Sequence, residues 1–216
     1  MNPFLDDWLD GQTTKVLKSK RSCLRFLKTA YSRCVSDFAN KVRTDVTMAD
    51  GGFRFHVGTP LPDLRQITSW MITHAPKQRT RARLIPALWK RHGREDVSVA
   101  GMLLANIEPN VLGQDPWMAF IHLLQRREPL LVVLEVAEEL VRAGHGVPDD
   151  AWLSAAAEQS THWHQYCVLF LSLRRTLGDC RPLVQRAPKG GEMFERIRER
   201  LLESCLLYTS DAADDL

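Results

Sequence analysis

Long apolar stretches are what this chain most lacks. Its longest purely aliphatic run, Leu130 to Leu134, is far too short to cross a bilayer. The opening Met1-Asn2-Pro3-Phe4-Leu5-Asp6-Asp7 has neither the basic start nor the apolar core of an export signal. Cysteine is sparse: Cys23, Cys34, Cys167, Cys180 and Cys205 form no CxxC pair and are odd in number. Reduced thiols are therefore expected, and a zinc site or a disulfide framework has no support. There is no phosphate loop, no GxSxG elbow and no HExxH helix. No segment alternates at period two, so no sheet is expected. These absences point to a cytoplasmic, monomeric, all-α protein that needs no cofactor, no metal and no membrane.

What is present suits a packed domain. Over 216 residues, 44% are apolar and 25% charged, which is neither the profile of disorder nor that of a membrane protein. That length supplies ample core for one domain, expected to span residues 1–204. The remaining residues, 205–216, look foreign. Cys205 to Asp214 reads as the in-frame translation TGT CTC TTA TAC ACA TCT GAC GCT GCC GAC, the transposase end and adapter of a sequencing library. A non-native tail is the expectation, with the native sequence interrupted near Ser204. Removing the tail's three aspartates (Asp211, Asp214, Asp215) raises the formal net charge from +3 to +6.

Acidic residues are also nearly missing from one long segment. Between Lys15 and Arg43 stand Lys15, Lys18, Lys20, Arg21, Arg25, Lys28, Arg33, Lys41 and Arg43, against the single acid Asp37. The apolar residues of Thr13 to Val42 recur every three or four positions, predicting one amphipathic helix or two abutting ones. A run so one-sided is either a solvated face or a surface that meets a polyanion.

Further helices follow with punctuation. Pro62 opens one containing Leu64, Ile67, Trp70 and Met71. Gln78 to Arg91 is the next, interrupted by Pro86 and stopped at Gly93, then Glu95 to Ile107. Asp115-Pro116-Trp117 caps a helix reaching Gln125, and Pro129 to Ala143 another, closed by Gly144. Helices then start at Asp149-Asp150 and run from Ser160 to Leu177 and from Glu192 to Ser204. Asp-x-Trp recurs at 115–117 and 150–152, a shift of 35 residues. Short helices on short connectors lie antiparallel, and one pair every 35 to 40 residues is the pattern of a helical solenoid.

One stretch carries a family resemblance. Phe55-His56-Val57-Gly58-Thr59-Pro60-Leu61-Pro62-Asp63-Leu64-Arg65-Gln66-Ile67 resembles the loop-to-helix entry of the alkylpurine DNA glycosylases built from HEAT-like repeats, the DNA alkylation repair family. Ala87-Leu88-Trp89-Lys90 followed by Arg94-Glu95-Asp96-Val97-Ser98-Val99-Ala100 is similar to a repeat of that family, and Trp163 to Arg174 to one of its helices. The resemblance spans about Phe55 to Thr176. It implies a HEAT-like array (an α-α superhelix), duplex DNA as partner, and a DNA glycosylase, a hydrolase that excises alkylated purines. By register Glu135 takes the position of the family's groove aspartate, while Leu131 stands where a tryptophan is expected and Tyr166 where an arginine is. The implied roles are Glu135 as catalytic carboxylate, Trp163 and Tyr166 on the lesion side of the groove, and Lys18, Arg21, Arg25, Lys28, Arg174 and Arg175 on the DNA backbone. The alternative is a non-catalytic HEAT-like scaffold binding DNA or a protein.

Plainer roles compete for several residues. Glu138 and Glu139 read as solvated. His162 and His164 read as polar flanks of a core Trp163, since adjacent helix positions diverge. His92 and His145 sit beside glycines at helix ends, where a cation favours the dipole. Trp70, Trp89, Trp117 and Trp152 read as core.

Overall fold

In the computed structural model of the protein, residues 2–35, 52–75, 77–124, 128–174 and 180–211 are described, with side chains as far as Glu203. Among them the chain is helical almost throughout. Twelve α-helices and one 3-10 turn are present, no strand forms, and the only ladder fragment is an isolated bridge between Phe55 and Gly93. No described helix is long and apolar enough to cross a membrane. The chain divides into two compact units, residues 1–125 and 126–216.

The first unit contains α1 (Pro3–Asp10), the 3-10 turn η1 (Thr14–Leu17), α2 (Lys20–Arg33), α3 (Leu61–His74), α4 (Gln78–Arg91), α5 (Arg94–Ala105), α6 (Pro109–Leu112) and α7 (Pro116–Leu123). At its centre lies α5, buried on every side from Glu95 to Ala105. Its run Val-Ser-Val-Ala-Gly-Met-Leu-Leu-Ala is small or apolar all round, the composition of a helix enclosed by others. Around it pack α4, α3 and α7, and α2 rests on α4.

Of the two forms expected from Thr13, one helix or two abutting ones, two segments are found, parted at Ser19, whose side chain accepts from the Ser22 N–H while the Ser22 hydroxyl takes the Ser19 N–H. That reciprocal cap starts α2 afresh. The part of the run beyond Val35, with Asp37, Lys41 and Arg43, lies outside the described residues. Pro86 does not interrupt α4. It is exposed on the helix, so it only removes the donor that would have reached the Ala82 carbonyl. The stop comes from His92, which is left-handed at φ 55° and donates its N–H to the Leu88 and Trp89 carbonyls.

A stack of rings fastens the outer helices. Trp8 of α1 lies 5.5 Å from Phe26 of α2, which lies 5.1 Å from Trp70 of α3, itself 4.7 Å from His74. The Arg33 guanidinium covers the Trp8 ring at 5.4 Å.

The second unit comprises α8 (Leu130–Arg142), α9 (Asp150–Ala157), α10 (Thr161–Leu171), α11 (Arg181–Gln185) and α12 (Glu192–Asp211). Its middle is α10, buried continuously from Gln165 to Leu171 and packed by α8, α9, α11 and α12. Side chains tie the later helices down. Gln165 donates to the Lys189 carbonyl at 2.8 Å, and Arg198 donates from Nε and Nη2 to the Val184 and Gln185 carbonyls, closing the end of α11.

The two Asp-x-Trp sequences are not equivalent. Asp115 caps α7 by accepting from the Trp117 N–H at 2.8 Å, whereas Asp149, not Asp150, caps α9 by accepting from Trp152. Trp117 is buried and Trp152 half-buried. The shift of 35 residues therefore joins two different caps.

Candidate nucleic-acid interface

The basic segment becomes a face. In α2 the buried stripe is Cys23, Phe26, Leu27, Ala30 and Tyr31, which leaves Arg21, Arg25 and Lys28 exposed at i, i+4 and i+7 on the opposite side. Lys15, Lys18 and Lys20 are exposed just ahead of them. Described residues 15–35 include no acid. Lys18, Arg21, Arg25 and Lys28 form no ion pair among the described residues. Arg21 to Lys28 rises about 10 Å along the helix, the span of ~3 phosphates on one strand of a duplex.

The two sequence stretches that carry the resemblance in the first unit touch through one carboxylate. Glu95, in the first turn of α5 and wholly buried, accepts at Oε1 from the N–H groups of Val57 (3.0 Å), Gly58 (2.8 Å) and Thr59 (3.3 Å). His56 Nε2 stands 3.5 Å from the same oxygen. Gly58 is left-handed at φ 91°, which turns successive N–H groups inward. The loop is fixed again where Thr59 donates its hydroxyl to the Tyr31 carbonyl and Arg94 donates to the Thr59 carbonyl, both at 3.3 Å. Beside it, buried Asp96 accepts from the Tyr31 hydroxyl at 3.2 Å and pairs with Arg91 Nε at 2.9 Å. Burial pushes the Asp96 carboxyl up to about 6, against the opposing pull of Arg91 and Tyr31. This node holds the loop and α5 in register with the underside of the basic helix. Sequence reasoning missed it, although an acidic pair at a helix start was a visible signal.

In the second unit, Glu135 lies half-buried on α8 one turn after Leu131, which is 55% exposed. Glu139 on the same helix pairs with Arg142 at 2.7 Å. Trp163 is half-buried, edge-on to Trp152 at 6.1 Å and to Tyr166 at 5.6 Å. Tyr166 itself is 1% exposed and donates its hydroxyl to the Glu128 carbonyl at 3.2 Å. Burial pushes its phenol up to about 12. It acts as a core tether and presents no ring face to an open groove, unlike the lesion-side role that register implied. His162 is exposed, and the His164 ring sits 2.8 Å from the Leu183 carbonyl. Arg174 pairs with Asp150 and donates to the Pro148 carbonyl, and this contact holds the Asp150 carboxyl below its ordinary range. Its charge is thus spent within the unit. Arg175 lies outside the described residues.

The structure therefore places Arg21, Arg25 and Lys28 on one helix face in the first unit, with Lys18 exposed just ahead of them, and separately brings Trp163 and Tyr166 together in the second. Comparisons with protein-family models, with curated proteins and with solved structures return no match.

Proposed function

We propose that the protein is a HEAT-like helical-repeat protein of the alkylpurine DNA glycosylase kind, which grips duplex DNA by its phosphates and excises alkylated purines. The observation that carries the reading is the acid-free basic face of η1 and α2. Four cations without carboxylate partners among the described residues, opposite a fully packed stripe, favour a polyanion and give affinity that is largely independent of base sequence. Consecutive helices packed on one another, α4 on α5 and α9 on α10, support the repeat architecture. The joining of the Phe55–Ile67 and Arg94–Ala100 stretches by Glu95 supports reading them as one folded unit rather than two chance matches.

For excision the chemistry is simple. A purine methylated at N3 or N7 is cationic and leaves readily, so its N-glycosidic bond breaks as positive charge develops on the sugar. Water then adds to the anomeric carbon. A carboxylate aimed at that sugar stabilises the charge, and Glu135 is the residue proposed to do so. A second reading, DNA binding without bond cleavage, is favoured by Leu131, which offers no aromatic face, and by the burial of Tyr166. Release of 7-methylguanine from alkylated duplex separates the two. Excision predicts release that falls on the order of 10²-fold in Glu135→Gln with duplex binding intact. No release by the wild type leaves the binding reading alone.

A further inference from the structure

A second helix of the first unit carries a basic stripe that its sequence disguises. In α4 the core is taken by Leu84, Ile85, Leu88 and Trp89 together with Arg81, which is buried and donates Nη1 to the Ile72 carbonyl at 3.1 Å. Arg81 is thus inside, and Arg91 is drawn to Asp96. The remaining cations, Arg79, Arg83 and Lys90, are exposed at i, i+4 and i+11, with exposed Pro86 between them. These positions lie within a narrow arc of the helix, opposite its core side. The helix has no acidic residue. The acid touching its start, Glu108, is engaged with Gln78, donating its N–H to Gln78 Oε1 and accepting from Nε2. Arg79, Arg83 and Lys90 form no ion pair among the described residues.

We infer that α4 is a second phosphate-binding face, with Arg79, Arg83 and Lys90 taking the phosphodiester backbone of a nucleic-acid duplex alongside the α2 face. This rests on the DNA-binding reading of α2 and extends it. Because α2 packs directly on α4, their axes lie ~8–10 Å apart. Arg79 to Lys90 spans about 16 Å along α4, enough to meet several phosphates of one strand. Cations spread along a helix face suit a nucleic-acid backbone better than a small anion, which one cluster would satisfy. The stripe also has a stiff base, since Arg81 and the four apolar residues fix the helix rotation.

The test measures the affinity of the full chain for a random-sequence 30-base-pair duplex by fluorescence anisotropy at 50 to 200 mM salt. It compares the wild type with an α4 variant (Arg79→Ala, Arg83→Ala, Lys90→Ala) and an α2 variant (Lys18→Ala, Arg21→Ala, Arg25→Ala, Lys28→Ala). Each lost phosphate contact reduces the salt slope by ~0.9, so the α4 variant is expected to lose about 40-fold less affinity than the wild type over that fourfold salt increase. A charge-preserving variant (Arg79→Lys, Arg83→Lys, Lys90→Arg) should keep the wild-type slope, and thermal melts should stay unchanged because all three side chains are exposed. An α4 variant with the wild-type slope overturns the inference, and loss in the α2 variant alone leaves the underlying reading standing. Loss in the α4 variant with none in the α2 variant overturns the pairing of the two faces and the α2 reading on which the inference rests. A wild type that ignores duplex overturns both.

Discussion

Replacing Glu95 by alanine removes one oxygen that serves three backbone donors. The N–H groups of Val57, Gly58 and Thr59 all point at Glu95 Oε1 within 3.3 Å, and Gly58 and Thr59 are buried. A buried donor left unpaired costs ~1–3 kcal/mol, and a first-turn carboxylate on a helix contributes ~0.3–1 kcal/mol more. Allowing for partial relaxation of Val57 toward water, Glu95→Ala should destabilise the first unit by ~3–6 kcal/mol. That rivals the ~5–15 kcal/mol holding a whole domain together. Glu95→Gln retains an acceptor oxygen but loses charge assistance, so it should cost ~1–3 kcal/mol. Urea denaturation followed by circular dichroism gives the totals, and amide exchange at Val57, Gly58 and Thr59 localises them. These amides should lose protection in Glu95→Ala before the helices open. A Glu95→Ala protein with wild-type urea midpoint and equally protected amides would refute the latch.

Asp96 supplies a pH test. Its carboxyl is raised in the folded state to about 6 from an ordinary 3.8, so the native protein binds this proton more tightly than the unfolded chain. Its contribution is therefore least favourable above pH 6 and improves as pH falls toward 4, by about 3 kcal/mol at 1.36 kcal/mol per unit. Asp96→Asn should abolish that part of the pH dependence, seen as the difference between the two proteins' denaturation midpoints from pH 4 to 7. At Gly93 an added Cβ would overlap the Phe55 ring, so Gly93→Ala should cost roughly 1–3 kcal/mol through overpacking. Phe55→Leu in the same chain should recover part of it. Tyr166→Phe should cost about 1 kcal/mol for one buried hydrogen bond and leave duplex affinity unchanged. A loss of affinity at constant stability would return Tyr166 to the groove.

Strong local punctuation made part of this architecture legible. The bounds of α4, Gln78–Arg91, follow from its apolar spacing and the turn at His92-Gly93, and α8 and α12 begin within a residue of their expected starts. The helices α1, α6 and α11, with 8, 4 and 5 residues, escaped because so few turns hold too few apolar anchors for a periodicity. The basic face of α2 was visible because composition alone declares it. The stripe of α4 was hidden because Arg81 turns inward while Pro86 mimics a break. The Glu95 latch joins residues 36 to 38 positions apart, a distance at which only the fold can pair them. Tyr166 was assigned by register, and register gives a position on a helix without saying which side is covered.

The α2 face is proposed to hold a duplex by its phosphates. The most direct measurement is the affinity of the full chain for a random-sequence duplex between 50 and 200 mM salt. Four backbone contacts, Lys18, Arg21, Arg25 and Lys28, predict a loss of at least about 100-fold over that range, with little dependence on base sequence. Affinity that stays level across the range, or no binding at 50 mM salt, would rule out phosphate binding by the α2 face.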